Sequence, residues 1–296
     1  MSRSIAGKIK INSFADIVSG DDTNVTEVPL SDLYDFRDHP FRVIDDEKMD
    51  ETVESVREHG VLVPGLVRPR TGGGYEIIAG HRRKRACELA GLETMPVIIK
   101  NYTDDEAVVV MVDTNIQRDD ILPSEKARAY RMKYDAMKHQ GSEGGNSLEN
   151  IGEAAGESAK TVQRYLWISR LNDNLLGMVD NRKVPMTAAT DLSFLDEKEQ
   201  ELLAKTITEE EKKITTAQAS KIKELSKAGS FNLTSIRKIL ENNKPKSRKF
   251  VLKDESLTKY FDDDYSNEDI EDIIIGLLNE WATTSGHNVQ KSEEDE

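Results

Sequence analysis

The chain is 296 residues long, 32% of them charged, with a formal net charge of −14; that length suits about two domains of ordinary globular composition. A single cysteine, Cys87, excludes an intrachain disulfide and suits a reducing compartment. No apolar run approaches the roughly 18 residues of a membrane span, and the N-terminus lacks the apolar core of a secretory signal, so the expectation is a cytoplasmic protein with no membrane partner.

The charge is unevenly spread. Residues 250–296 carry a net −11 and the first thirty a net −1, which leaves −2 for residues 31–249. Within 68–100, Arg68, Arg70, Arg82, Arg83, Lys84, Arg85 and Lys100 stand against only Glu76, Glu88 and Glu93. A near-neutral body with basic patches can bind a polyanion locally, whatever the sum.

In chain order, residues 1–30 are polar and read as a flexible arm. A compact domain over 31–140 follows. DDEKMDETVESVREHG (45–60) predicts a helix with Met49, Val53 and Val56 inward, stopped by Gly60. VLVPGLVRPR predicts a strand with a proline break, and TGGG a tight turn into the strand YEIIAG. In IIAGHRRKRACELAG (77–91) the strand ends at Gly80 and a helix begins under Arg82, Arg83, Lys84 and Arg85. A helix N-terminus already carries partial positive charge, so cations crowded there imply an anion. Strand, glycine turn and helix aim backbone N–H groups at a phosphate, with Arg82 and Arg83 as forked donors. A solvated basic helix start that meets only DNA backbone is the plainer alternative. No Walker loop and no G-x-G-x-x-G fingerprint occurs anywhere.

The strand MPVIIK and a helix near DDEAVVVMVDTNIQR complete this α/β alternation, a mixed sheet with helices. Pro123 opens the next helix, and GSEGGNS (141–147) reads as a joint. Residues 141–243 read as all helical. LENIGEAAGESAKTVQRYL (148–166) has helix-turn-helix spacing: Leu148, Ile151 and Ala155 inward, Gly152 small for close approach, Gly156 at the turn. Ser158 caps the second helix, whose Val162, Leu166 and Ile168 face inward. Ser158, Lys160, Thr161, Gln163 and Arg164 then lie near the end that enters a major groove. A plain helical hairpin is the alternative. KPKSRK (244–249) reads as a basic linker. Residues 250–285 hold a strand-like FVL and a helix striped with Ile270, Ile273, Ile274, Leu277, Leu278 and Trp281, a candidate dimerisation or partner region. Residues 286–296 read as an acidic, disordered tail.

HPFRV (39–43), HGVLVPGLVRPR, YEIIAGHRRKRACELAG, MPVII, TNIQRDDILPSEKARAY and the paired helices, in that order over roughly 33–200, resemble the ParB family of chromosome- and plasmid-partitioning proteins, nucleoid-occlusion members included. The resemblance implies an α+β N-terminal domain of ParB/sulfiredoxin-like fold, an all-α helix-turn-helix domain and a small C-terminal region. It further implies a nucleoid-associated homodimer that reads a palindromic site in double-stranded DNA. CTP binding would close it into a sliding clamp, and a ParA-type ATPase would contact the arm at Arg3, Lys8 and Lys10. Gly60, Val61, Pro64 and Arg68 match the family's segment along the base and sugar. Gly80, Arg82 and Arg83 match its Gly-Glu-Arg-Arg phosphate motif with His81 in place of the glutamate. Asn115, Gln117 and Arg118 match Glu-Asn-x-Gln-Arg, in which the asparagine helps hold Mg²⁺ and Thr114 replaces the glutamate linked to hydrolysis.

Carboxylates near Mg²⁺ orient the ion and an attacking water. With both replaced, the expectation is nucleotide binding over efficient hydrolysis, any CTPase activity (CTP and water to CDP and phosphate) being weak. A regulator or nucleoid-binding relative without a nucleotide cycle is the rival, and an adaptor using its acidic C-terminal region a third reading. Sulfiredoxin has Cys-His-Arg where this chain has Gly80-His81-Arg82; without that cysteine its chemistry is not expected. Cys87 reads as a small buried residue, and the five histidines show no metal-ligand spacing.

Overall fold

The computed structural model describes residues 24–118, 120–139, 146–241, 257, 259–262 and 264–285. Arg3, Lys8 and Lys10, residues 141–145 of the joint, the basic linker, the FVL segment and the acidic tail lie outside the described residues. The chain divides into two compact units, 1–242 and 243–296.

The first unit contains a five-stranded sheet: β1 (Val25–Pro29), β2 (Leu33–Tyr34), β3 (Gly65–Pro69), β4 (Tyr75–Ala79) and β5 (Thr94–Ile99), in spatial order β1-β5-β3-β4-β2. The pairs β1/β5 and β3/β4 are antiparallel, whereas β3/β5 and β2/β4 are parallel. The expected arm therefore ends earlier than residue 30, because Val25–Pro29 pairs along β5 from Val25 opposite Ile98 to Pro29 opposite Thr94. The proline break is also sharper than the sequence implies. Pro64 has no N–H to give a ladder, and β3 begins only at Gly65.

Alternation along the strands buries both faces. Val67, Ile77 and Val97 join Met49, Val53, Val56, Ala86 and Cys87 on one side, packing α1 (Glu47–His59) and α2 (His81–Ala90) against the sheet. Leu66, Ile78 and Ile98 point to the other side. There they share a cluster with Ala107, Val110, Met111 and Val112 of α3 (Asp104–Asn115) and Ala129 and Tyr130 of α4 (Pro123–His139).

That second cluster does not stop at the sheet domain. Ile151 of α5 (Asn146–Ala155) and Val162 and Leu166 of α6 (Ala159–Ile168) belong to it. Gly156, at φ +66°, makes the turn, and Ser158 caps α6 by accepting the Thr161 N–H. The turn is pinned to α4: Glu157 accepts from Tyr130 Oη at 2.9 Å and pairs with Lys126 Nζ. A separate helical core, from Ala127 and Ile168 to Leu240, is built by α7 (Asp173–Asp180), α8 (Met186–Leu192), α9 (Glu197–Glu209), α10 (Thr216–Lys227) and α11 (Leu233–Glu241). The start of α4 is tied to α7, since Asp180 accepts from both the N–H and the hydroxyl of Ser124.

In the second unit, α12 (Asn267–Thr284) opens with a capping box between Ser266 and Asp269. Its Ile273, Leu277, Leu278 and Trp281 are exposed. Among the described residues no helix is long and apolar enough to cross a membrane.

The close approach at Gly152 is directly testable. A Cβ there would fall inside the van der Waals envelope of the Glu157 carbonyl oxygen, whereas one at Gly177 in α7 would meet nothing. Gly152→Ala is expected to cost about 1–3 kcal/mol in urea unfolding, and Gly177→Ala to be neutral or to add up to about 1 kcal/mol.

Candidate functional site

The backbone builds the cradle first. Gly80 ends β4 at φ +117° and serves as the N-cap of α2 without a side chain. A Cβ at Gly80 would sit 3.2 Å from the Cα of Gly65 and 3.4 Å from the Arg83 guanidinium. Only glycine takes this backbone beside a neighbouring strand without strain, and it opens α2 with no side-chain cap.

The loop before β3 is brought to the same place. Gly60, at φ +70°, ends α1, and Val63 and Pro64 carbonyls accept from Arg83 Nη1 at 2.6 and 2.5 Å. Burial lowers the Arg83 guanidinium to a pKa of about 10. Arg83 thereby fixes the loop against the helix start. Val61 is half-buried against the α1–α2 side of the sheet.

The other three crowded cations, Arg82, Lys84 and Arg85, are each met by a carboxylate from outside α2. Arg82 donates to Asp46 Oδ1 at 3.2 Å and to the Ile44 carbonyl at 3.3 Å. Lys84 pairs with Asp35, and Arg85 with Asp45 and Glu88. Arg68 lies between Glu76 at 2.6 Å and Asp104 at 2.7 Å, and Arg118 pairs with Asp120. Sequence reasoning missed these partners. Asp45 and Asp46 read only as a helix start, and the fold carries them to α2.

His81 has an unexpected setting. It is only 8% exposed, its Nε2 accepts the Phe36 N–H at 3.4 Å, and its ring stands 3.8 Å from that of His39. His39 in turn donates from Nδ1 to the Phe41 carbonyl at 2.7 Å. Burial, then the neighbouring His39, Lys84 and Arg83 charges, lowers His81 to a pKa of about 3, and burial lowers His39 as well. His81 is therefore a neutral ring in this state. His39 was visible only as part of HPFRV; nothing in the spacing announces the stack.

At the end of α3, Thr114 turns its hydroxyl onto its own helix, donating to the Val110 carbonyl at 2.9 Å. The Asn115 amide donates to the Met111 carbonyl at 2.8 Å. Asp113 is not available as a stand-in carboxylate, because it forms a buried ion pair with Lys133 and burial raises its pKa. Gln117 is exposed and Arg118 half-buried; Arg118 lies close enough to His39 to lower its pKa by charge. Among the described residues no group of three or more His, Cys, Asp or Glu side chains could hold a metal. Around Asn115 the side chains thus offer one amide and no uncommitted carboxylate, a donor set that does not by itself compose a Mg²⁺ site. Cys87, on α2, is buried against the sheet, with its thiol raised by burial.

The second set of candidates lies on α6. Lys160 is exposed, Thr161, Gln163 and Arg164 are half-buried, and Ser158 and Thr161 share a hydroxyl contact of 2.9 Å.

Together these features define a class: an α+β domain with a glycine-opened helix start, joined to a helical domain with a tight helix pair. Residues 15–116 match the family model of the ParB N-terminal domain. The chain is 35% identical over 171 residues to a probable chromosome 1-partitioning protein ParB of Deinococcus radiodurans, covering 58% of this chain and 56% of that one. It is 31% identical over 196 residues to a nucleoid occlusion protein of Listeria monocytogenes, covering 66% of each. The chain thus spans less than two thirds of the length of these relatives. Among solved structures, the C-terminally truncated chromosome-partitioning protein ParB from Caulobacter crescentus complexed to the centromeric parS site is 24% identical, with a TM-score of 0.41, covering 69% of this chain and 99% of that one. The same protein complexed with CTP-gamma-S is 28% identical, with a TM-score of 0.31, covering 62% and 99%. The segment 15–116 is thus assigned to the ParB N-terminal domain family.

The neutral His81 gives a pH dependence of stability with a definite sign. The unfolded chain takes up a proton near 6.5, which the folded chain resists until about 3. Stability is therefore full above that upper value and falls as pH drops through the window. Between about pH 7 and about pH 5 the loss from this group is about 2 kcal/mol. Urea unfolding at both pH values is expected to show that loss in the wild type and a smaller one in His81→Gln.

Proposed function

We propose that the chain is a DNA-partitioning protein that binds a specific, palindromic DNA site through α5, its turn and α6, and holds CTP in the cradle between Gly60–Pro64 and Gly80–Arg83. Nucleotide binding closes a homodimer into a clamp on DNA. The single observation that carries this reading is that the segment matching the ParB N-terminal domain contains the glycine-opened helix start with Arg82 and Arg83. The names of the relatives, a chromosome-partitioning and a nucleoid occlusion protein, agree in pointing to DNA.

In this reading the α2 N–H groups and Arg82 hold phosphate oxygens, and Arg83 keeps the loop in place for the base and sugar. Arg68 and Arg118 line the same site, with Asn115 and Gln117 at its far edge. Lys160, Gln163 and Arg164 on α6 supply phosphate and base-edge contacts, with Ser158 and Thr161 at the helix start. The exposed stripe of α12 serves dimerisation or partner contact, and Arg3, Lys8 and Lys10 are the residues offered to a ParA-type ATPase.

Hydrolysis is the weak point of the chemistry. A neutral, buried His81 and a Thr114 hydroxyl bonded to its own helix offer no carboxylate to orient a water. This also favours a second reading, a DNA-binding regulator with no nucleotide cycle. Two measurements separate them. CTP titrated into the full chain is expected to bind, with Arg82→Ala weakening it by about ten-fold or more, and phosphate release with and without DNA is expected to stay near background. Wild-type protein that ignores CTP supports the regulator. Rapid DNA-stimulated release that His81→Ala abolishes overturns the expectation of weak hydrolysis.

The DNA contact has its own signature. Lys160→Ala is expected to weaken binding about equally on cognate and non-cognate duplex and to lower the salt slope by about 1, read from affinity at several salt concentrations.

A further inference from the structure

The anion implied by the crowded start of α2 is already present within the chain. Asp46 accepts from Arg82 Nη2 at 3.2 Å, and the same carboxylate oxygen accepts the Met49 N–H at 3.0 Å as the N-cap of α1. We propose that Asp46 is a built-in competitor of nucleotide phosphate for Arg82, so that the turn at 45–46 sets how tightly the cradle holds its ligand. The inference rests on the nucleotide reading above and specifies a regulator of that site.

Three observations carry it. First, the contact is made by one oxygen and one guanidinium nitrogen, with the second nitrogen on the Ile44 carbonyl. The adjacent pair, Arg85 with Asp45, is forked, with contacts of 2.7 and 3.1 Å. Forked pairs are the stronger and more specific ones, so Arg82 holds the exchangeable carboxylate and Arg85 the settled one. Second, Asp46 is already fixed by capping α1, so it stays beside Arg82 at little further entropic cost. Third, a phosphate at this position gains what Asp46 lacks, the N–H groups and positive end of α2 itself. Occupancy then means that Arg82 turns from one anion to another while Asp46 keeps its hydrogen bond to Met49.

Asp46→Asn tests the exchange, because asparagine caps a helix as well as aspartate but carries no charge. Calorimetric titration of the full chain with CTP is expected to show affinity about two- to five-fold tighter in Asp46→Asn, in the range of one exposed ion pair. Asp46→Ser, which also keeps a cap, is expected to move the same way. Asp45→Asn removes the same charge one residue away and is expected to gain less. In an Arg82→Ala background the Asp46→Asn gain is expected to vanish, since the two side chains act on each other. Unchanged or weaker affinity in both Asp46 variants overturns the inference, as does an equal gain from Asp45→Asn, which would mark a general charge effect. Wild-type protein that binds no CTP overturns the nucleotide reading and the inference together, whereas wild-type binding with indifferent Asp46 variants overturns the inference alone.

Discussion

Both faces of the three central strands are buried, and the placing of each site follows from which helices do the covering. Neighbouring residues part company along the strands: Leu66 from Val67, Ile77 from Ile78, Val97 from Ile98. One side takes α1 and α2; the other takes α3, α4 and the helix pair. A chain that runs from β4 directly into α2 must turn sharply where β3 lies close by. A Cβ at Gly80 would press on the Gly65 Cα at 3.2 Å. The positive φ and the nearby strand therefore favour glycine at the start of α2.

Charge is arranged with similar economy. Several cations of this patch each carry a carboxylate from another part of the chain: Asp46 for Arg82, Asp35 for Lys84, Asp45 for Arg85 and Asp104 for Arg68. The patch that looks strongly basic in the sequence is close to balanced in the folded protein. Affinity for an anion then depends less on the count of cations than on which pairs can exchange.

Much of this was legible in the sequence because it is local. Gly60 and Ser158 end or start helices as their backbone chemistry requires, and the α1 stripe of Met49, Val53 and Val56 is buried. Alternation marked the central strands, and Gly80 marked the start of α2. The remainder depends on distant partners. VTEVP has little alternation of its own and becomes β1 only by pairing with β5. His39 meets His81 across 42 positions of sequence, and Asp113 is consumed by a lysine on another helix. No window short enough to show a period contains either member with its partner.

The helix pair beyond the joint reads in sequence as a separate module, yet Ile151, Val162 and Leu166 sit in the same apolar cluster as Ile78 and Met111. Gradual rotation of α6 against the sheet would have to open that cluster, and close-packed interiors deform poorly. Displacement of α6 relative to the sheet is therefore resisted by the same packing that covers the second face of the sheet.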